Sequence, residues 1–279
     1  PPPPPTLVFS HHALGYAKRS PVRLVPVPTD HQWKATSAGE DAFFSRFNAL
    51  GVCDGVGGWQ GQENANAGLF ARKLMHYCSA ELDERPRATF GVGGNTGGVF
   101  PQEVLERAYH KTMDDAQREG FVGSTTALLA LLTNGNELRI ANLGDCGLVV
   151  IRQGEFVFRT EEQVHSFNYP YQLGTAAQDT PALAHAFALH AHHGDILVMA
   201  SDGVWDNVFE EDVLRIVREH VGRTCQPTSH CRGDCANGQG AGEDTRGASP
   251  FQSRALREGL YYQGGKTDDI AVVVAVVRD

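Results

Sequence analysis

Apolar residues along this chain fall into short runs closed by glycine, asparagine or aspartate, the spacing of strands and turns rather than of long helices. "DAFFSRFNALGVCDG" predicts two strands with a turn near Asn48. "STTALLALLT", "ELRIANLG", "CGLVVIRQ" and "EFVFRT" are separated at Asn134-Gly135, Gly144-Asp145 and Gln153-Gly154, which predicts an antiparallel meander. "HAFALHAH" and "DILVMAS" add two strands, "TLVFSHHAL" one near the start, and the β-branched run "DIAVVVAVV" a buried one at the end. Helical spacing appears over 62–84, where Leu69, Leu74, Tyr77 and Cys78 share a face, and again from Pro101 to about Arg118. Further helices are predicted over about 210–220 and 250–260. Helices before and after a series of strands predict an α+β fold, with helices packed on an antiparallel sheet or pair of sheets.

The pattern divides the chain into an extended N-terminal arm, 1–38, and a domain, 39–279, with insertions near 85–100, 161–182 and 222–248. The 279 residues suffice for a substantial core, and 41% apolar with 20% charged residues is ordinary for a globular protein. A net charge of −9 argues against nucleic acid or an anionic membrane as the main partner. No apolar run approaches the ~20 residues of a membrane-spanning helix. The chain opens on five prolines without Met and reads as a cut or processed end, so no targeting segment is visible. Cys53, Cys78 and Cys146 sit in apolar or motif contexts and read as reduced core thiols, which implies an intracellular, reducing compartment. The Cys225, Cys231 and Cys235 loop reads as an insertion rather than a zinc site. His190 and His192 share a strand face but read as a solvated strand end, and Trp59 and Trp205 as core.

Four acidic sites share one grammar. Asp54 in "LGVCDGVGG", Asp145 in "IANLGDCG" and Asp202 in "ILVMASDGVWDN" follow apolar strands, and Asp268 with Asp269 in "GGKTDDIAVVV" precedes one. A single Asp-Gly is usually just a turn. If these strand ends meet, the carboxylates repel one another unless cations lie between them. Oxygen-only ligands select hard ions such as Mg²⁺ or Mn²⁺. Two of these about 4 Å apart clamp a phosphoryl group and activate a water.

"GEDAFF", "GVCDGVGGW", "GSTTALLALL", "LRIANLGDCGLVVIR", "DILVMASDGVWDN" and "GGKTDDIAVVV", in this order, resemble the type 2C, metal-dependent Ser/Thr protein phosphatases from Glu40 to the C-terminus. "HSFNYPYQL" and "SPF" resemble a short branch that includes mitochondrial members. The resemblance implies an α-β-β-α sandwich of two antiparallel sheets flanked by helix pairs, with two Mg²⁺ or Mn²⁺ ions and a weak third. It implies that Asp54 bridges both metals, the Gly55 carbonyl binds the second, and Asp202 and Asp268 complete the first. Glu40 and Asp41 hold metal waters and Asp145 a third ion. Phosphorylated proteins are the implied substrates of a monomeric enzyme. Two positions depart from the family: its acid histidine is Val56 and its phosphate-binding arginine is Thr36. Metal-bound water is a candidate for the acid's task, Lys34 or Arg46 for the phosphate clamp, and His165 for either. The departures keep a second reading open, a pseudophosphatase that binds without turnover. A third is a two-metal hydrolase of small phosphate esters.

Overall fold

The structure is a computed structural model that describes residues 6–18, 33–59, 61–84, 99–221 and 247–279, with positions 240, 242 and 244. Its first half runs β1 (Val8–Tyr16), β2 (Thr36–Ala38), β3 (Asp41–Arg46), β4 (Ala49–Cys53), α1 (Ala67–Asp83) and α2 (Pro101–Glu119). Next come β5 (Ser124–Thr125), β6 (Ala127–Leu132), β7 (Glu137–Leu143), β8 (Gly147–Arg152) and β9 (Glu155–Arg159). The short strands β10 (Val164–Ser166), β11 (Tyr169–Pro170) and β12 (Leu173–Gly174) precede β13 (His185–His190) and β14 (Ile196–Ala200). The chain closes with α3 (Asp202–Trp205), α4 (Glu210–Val221), α5 (Pro250–Arg257) and β15 (Ile270–Arg278).

These strands make two main antiparallel sheets. One has five strands in the order β1-β15-β14-β8-β9, and the other six in the order β13-β7-β6-β4-β3-β2. Strand alternation explains why they stack. Leu128, Ala130 and Leu132 of β6 point between the sheets with Leu138, Ile140, Leu148, Val150, Leu197, Met199 and Val273. The intervening Leu129 and Leu131 face outward, onto Leu74, Met75 and Leu105 of the α1–α2 pair. On the opposite side Val149, Val198, Val272 and Val274 pack on Val204, Trp205, Val213 and Val217 of α3 and α4. Central strands therefore bury both faces, which is why "LLALL" and "AVVVAVV" lack polar alternation. Each buried leucine or valine stabilises the fold by roughly 1.5–3 kcal/mol relative to exposure.

The helix boundaries follow local chemistry. Asn66 caps α1 by accepting from the Leu69 N–H at 2.9 Å, so the helix starts at Ala67 and not in the polar stretch before it. Pro101 opens α2 and Gly120, at φ 73°, closes it.

Two features depart from the sequence expectations. The meander is split: β6 and β7 pair in one sheet, β8 and β9 in the other, and Gly144-Asp145 carries the chain between sheets. Residues 161–182 are not a plain loop but carry the β10–β11 hairpin and β12, which pairs with β5. Near the N-terminus β1 lies against β15 in continuous register from Val8↔Arg278 to Tyr16↔Ile270. Residues 85–98 and the cysteine loop with Cys225, Cys231 and Cys235 lie outside the described residues.

Candidate metal centre

Both sheets deliver acids to one end of the sandwich. Asp41 opens β3 and Asp54 follows β4 in the six-stranded sheet, while Asp202 follows β14 and Asp268 and Asp269 precede β15 in the five-stranded one. Asp145 stands on the crossover between them. The backbone around Asp54 is fixed from both sides. Its N–H donates to Thr126 Oγ1 at 3.0 Å, and its carbonyl accepts from the Thr126 N–H at 2.9 Å and the Thr125 hydroxyl at 2.7 Å. The adjacent glycines serve the backbone. A Cβ on Gly55 would lie 2.4 Å from the Glu40 carbonyl oxygen, and Gly58 adopts φ +97°. Gly57 and Gly58 have open space around them.

Two ammonium groups sit among these carboxylates. Lys266 Nζ lies 2.5 Å from Asp202, 2.8 Å from Asp206 and 3.3 Å from Asp268. Lys18 Nζ lies 2.9 Å from Asp268, 3.6 Å from Glu40 and 3.7 Å from Asp269. Asp268 faces the cleft between them, whereas Asp269 is buried and accepts the backbone N–H groups of Lys18 at 2.7 Å and Glu40 at 2.8 Å. That anchor holds the start of β15 against the Gly39–Glu40 turn.

Charge is crowded here. Burial, then repulsion by Asp202 and Asp41, pushes the Asp54 carboxyl well up. Burial also raises Asp41 and Asp145, and Glu40 less so. Asp206 is pushed up to about 7 by burial and then by Asp202. Asp202 goes the other way: burial works against its charge, but Lys266 outweighs it. For Lys266 and Lys18 burial is likewise outweighed, by Asp202 and by Asp268, and both ammonium groups are stabilised.

The donor set fits a hard divalent cation. It is all oxygen, and both oxygens of Asp41 and the Oδ1 atoms of Asp145 and Asp202 are buried without a hydrogen-bond donor in normal geometry. Among the described residues no three acids, histidines or cysteines are drawn up around a single point as ligands.

The acids floor a cleft of about 990 Å³, with Asp54, Gly55, Asp145, Asp202 and Asp268 in its lining. Asp41 lies behind it, 1% exposed. Val56 lines the cleft; Thr36, on β2, does not. Lys34 and Arg46 are elsewhere: both bind Asp83 at the end of α1, and Arg46 also donates to the Ser79 carbonyl at 2.7 Å. No arginine lines the cleft among the described residues, so its cations are Lys18 and Lys266. Trp205 is core, 4% exposed, but Trp59 lines the cleft and donates to Ser124 Oγ at 2.9 Å. Cys53, Cys78 and Cys146 are buried free thiols. Sequence reasoning missed Lys18, Lys266 and Asp206. Lys266 had a signal, two positions before Asp268, whereas Lys18 reaches the site only because β1 pairs with β15.

Residues 49–278 match the family described as Stage II sporulation protein E (SpoIIE). The probable protein phosphatase 2C 71 of Oryza sativa subsp. japonica is 38% identical over 251 residues, 89% of this chain and 50% of that protein. The protein phosphatase PTC7 homolog fig of Drosophila grimshawi is 34% identical over 257 residues, 86% of this chain and 80% of that one. The chain spans about half the length of the plant relatives it matches at 34–38% identity. Among solved structures, the photosystem II phosphatase PBCP is 30% identical with a TM-score of 0.71, over 86% of this chain and 92% of that one. The catalytic domain of the serine threonine protein phosphatase PstP, in complex with 2 manganese ions, has a TM-score of 0.64 at 17% identity, a likeness of fold covering 98% and 100% of the two chains. The chain belongs to the type 2C, or PPM, protein phosphatase family, whose two-sheet sandwich it shares.

Proposed function

We propose that this chain is a metal-dependent phosphatase of phosphoserine and phosphothreonine in proteins. The observation that carries the reading is the meeting of acids from two sheets at one broad cleft, with buried carboxylate oxygens that lack donors. Asp54, the Gly55 carbonyl, Asp202 and Asp268 would hold two Mg²⁺ or Mn²⁺ ions, with Glu40 and Asp41 behind them and Asp145 toward a third. When bound, the ions supply a water nucleophile and offset charge on the phosphoryl oxygens.

The protein's own part is placement and electrostatics. The Thr125 and Thr126 bonds to the Asp54 backbone keep that carboxylate at the cleft floor. Lys266 and Lys18 neutralise the acids before loading, and either ammonium can turn to an incoming phosphate. A wide cleft suits a phosphorylated side chain presented on a protein surface, which favours that substrate class over a small ester held in a narrow pocket. No helix among the described residues is long and apolar enough to cross a membrane. Mitochondrial residence and a monomeric state rest on resemblance alone.

The test is hydrolysis of a phosphothreonine peptide with and without Mn²⁺, with Asp202→Asn in parallel. Wild-type turnover should require Mn²⁺, and the variant should lose more than about 100-fold in kcat. Mn²⁺ binding without turnover in the wild type would return the chain to the binding-module reading.

A further inference from the structure

We propose that His165 meets the phosphorylated side chain at the cleft wall and protonates its leaving oxygen, with Asp179 as the residue that positions it. The proposal rests on the phosphatase reading above. A serine or threonine alkoxide is strongly basic and leaves poorly unless it is protonated as the P–O bond breaks. A side chain on the cleft wall that gives up a proton near neutral pH would supply that step. Lys18 and Lys266 are committed to the acids of the floor, Lys266 to Asp202, Asp206 and Asp268 and Lys18 to Asp268. Imidazole is the side-chain type that loses and regains a proton around neutrality, and His165 is the histidine in the cleft lining among the described residues.

The local structure fixes this ring. His165 lies on β10, in the hairpin that turns through Asn168 at φ 54°. Its Nε2 is 3.0 and 3.2 Å from the two oxygens of Asp179. Asp179 is 7% exposed and also accepts the Gln172 N–H at 3.0 Å, so the carboxylate is itself held. The ring stacks on Tyr171 with centroids 4.0 Å apart and planes at 17°. A carboxylate facing Nε2 places the hydrogen on that nitrogen and leaves Nδ1 for substrate.

The same wall is tied to the metal floor. Trp59 Nε1 donates to Ser124 Oγ at 2.9 Å, and the Ser124 hydroxyl donates to Gln172 Oε1 at 2.6 Å. Bonds thus run from the loop after Asp54, through Gln172, to Asp179 and His165. In the step, water attacks phosphorus and forms the new P–O bond while the bond to the serine or threonine oxygen breaks. The ring enters the step as imidazolium, its Nε2–H on Asp179. The Nδ1 proton passes to that oxygen and leaves the neutral ring, the attacking water releases its proton to solvent, and Nδ1 is reprotonated from solvent.

The experiment compares a phosphothreonine peptide with p-nitrophenyl phosphate, whose leaving group needs no proton, in wild type, His165→Gln and Asp179→Asn. H165Q should lower kcat on the peptide roughly 100-fold while changing the aryl ester by no more than about threefold. D179N should show a weaker loss, about tenfold, with the same substrate dependence. Mn²⁺ affinity and melting temperature, measured alongside, should match wild type. Equal losses on both substrates, or an unimpaired peptide rate, would overturn the assignment. If H165Q does not fold, the substrate dependence of D179N decides. A wild type inactive on both esters defeats the phosphatase reading itself and the inference with it.

Discussion

Lys266 holds three carboxylates at once and is the residue most at odds with a loaded metal site, because its ammonium and a divalent cation seek the same oxygens. Its substitution should therefore separate two properties. Lys266→Gln should lower the melting temperature of the metal-free protein, since Asp202, Asp206 and Asp268 lose their shared counter-charge. It should also tighten Mn²⁺ binding, by about tenfold if ~1.4 kcal/mol of competition is removed. Calorimetric titration with Mn²⁺ and a thermal melt in chelator check both halves; weaker Mn²⁺ binding would mean the lysine assists loading. At this scale the acids were readable in the sequence and the lysines were not. An aspartate at the end of an apolar run breaks a pattern, while an isolated lysine looks like any solvated side chain. The demand on Gly55 was not readable either, because it comes from the approach of the Glu40 backbone across the sheet.

Among elements, the α1–α2 pair carries a buried polar cluster beside its apolar contacts. Lys73 Nζ donates to Asp115 at 2.6 Å and Tyr77 donates to the same oxygen at 2.6 Å. Burial works to raise the Asp115 carboxyl, but the bonds from Lys73 and Tyr77 outweigh it and hold the group below its usual range. The folded chain thus binds this proton less readily than the unfolded chain. The resulting stability is present above the unfolded pKa of about 3.9 and is lost as pH falls through the folded value. Asp115→Asn should destabilise by about 1.5 kcal/mol at neutral pH, because Lys73 loses one charged partner and keeps Glu119 at 3.0 Å. Denaturant melts should show that deficit shrinking below about pH 4; a deficit constant with pH would mean packing, not charge, accounts for it. These helices were legible because their apolar positions recur at 3.6 residues and Pro101 marks a start. The sheet change at Gly144-Asp145 was not, because a turn between strands reads the same whether it returns to its own sheet or crosses to another.

The whole molecule depends on a strand far from the motifs. β1 covers the edge of β15 over its full length, contributes the buried Phe9, and brings Lys18 to the acids. Deleting residues 1–18 would leave "IAVVVAVVR" as an uncovered edge, a template for pairing between chains. Size-exclusion chromatography with light scattering should find that variant in large assemblies at a concentration where the full chain elutes as a discrete species; discrete elution of both would show that the edge is protected some other way. The sequence made the run's burial plain but not its partner, since pairing across more than 250 positions leaves no local mark.

The division of the acids between sheets has a mechanical meaning. Asp41 and Asp54 ride on one slab, Asp202 and Asp268 on the other, and Asp145 on the crossover that joins them. An ion held by both sets, as proposed, would be a rivet through the joint. Slippage of one slab against the other, opposed by interlocking side chains such as Leu128 and Met199, would then change the grip on that ion without altering any residue that touches it.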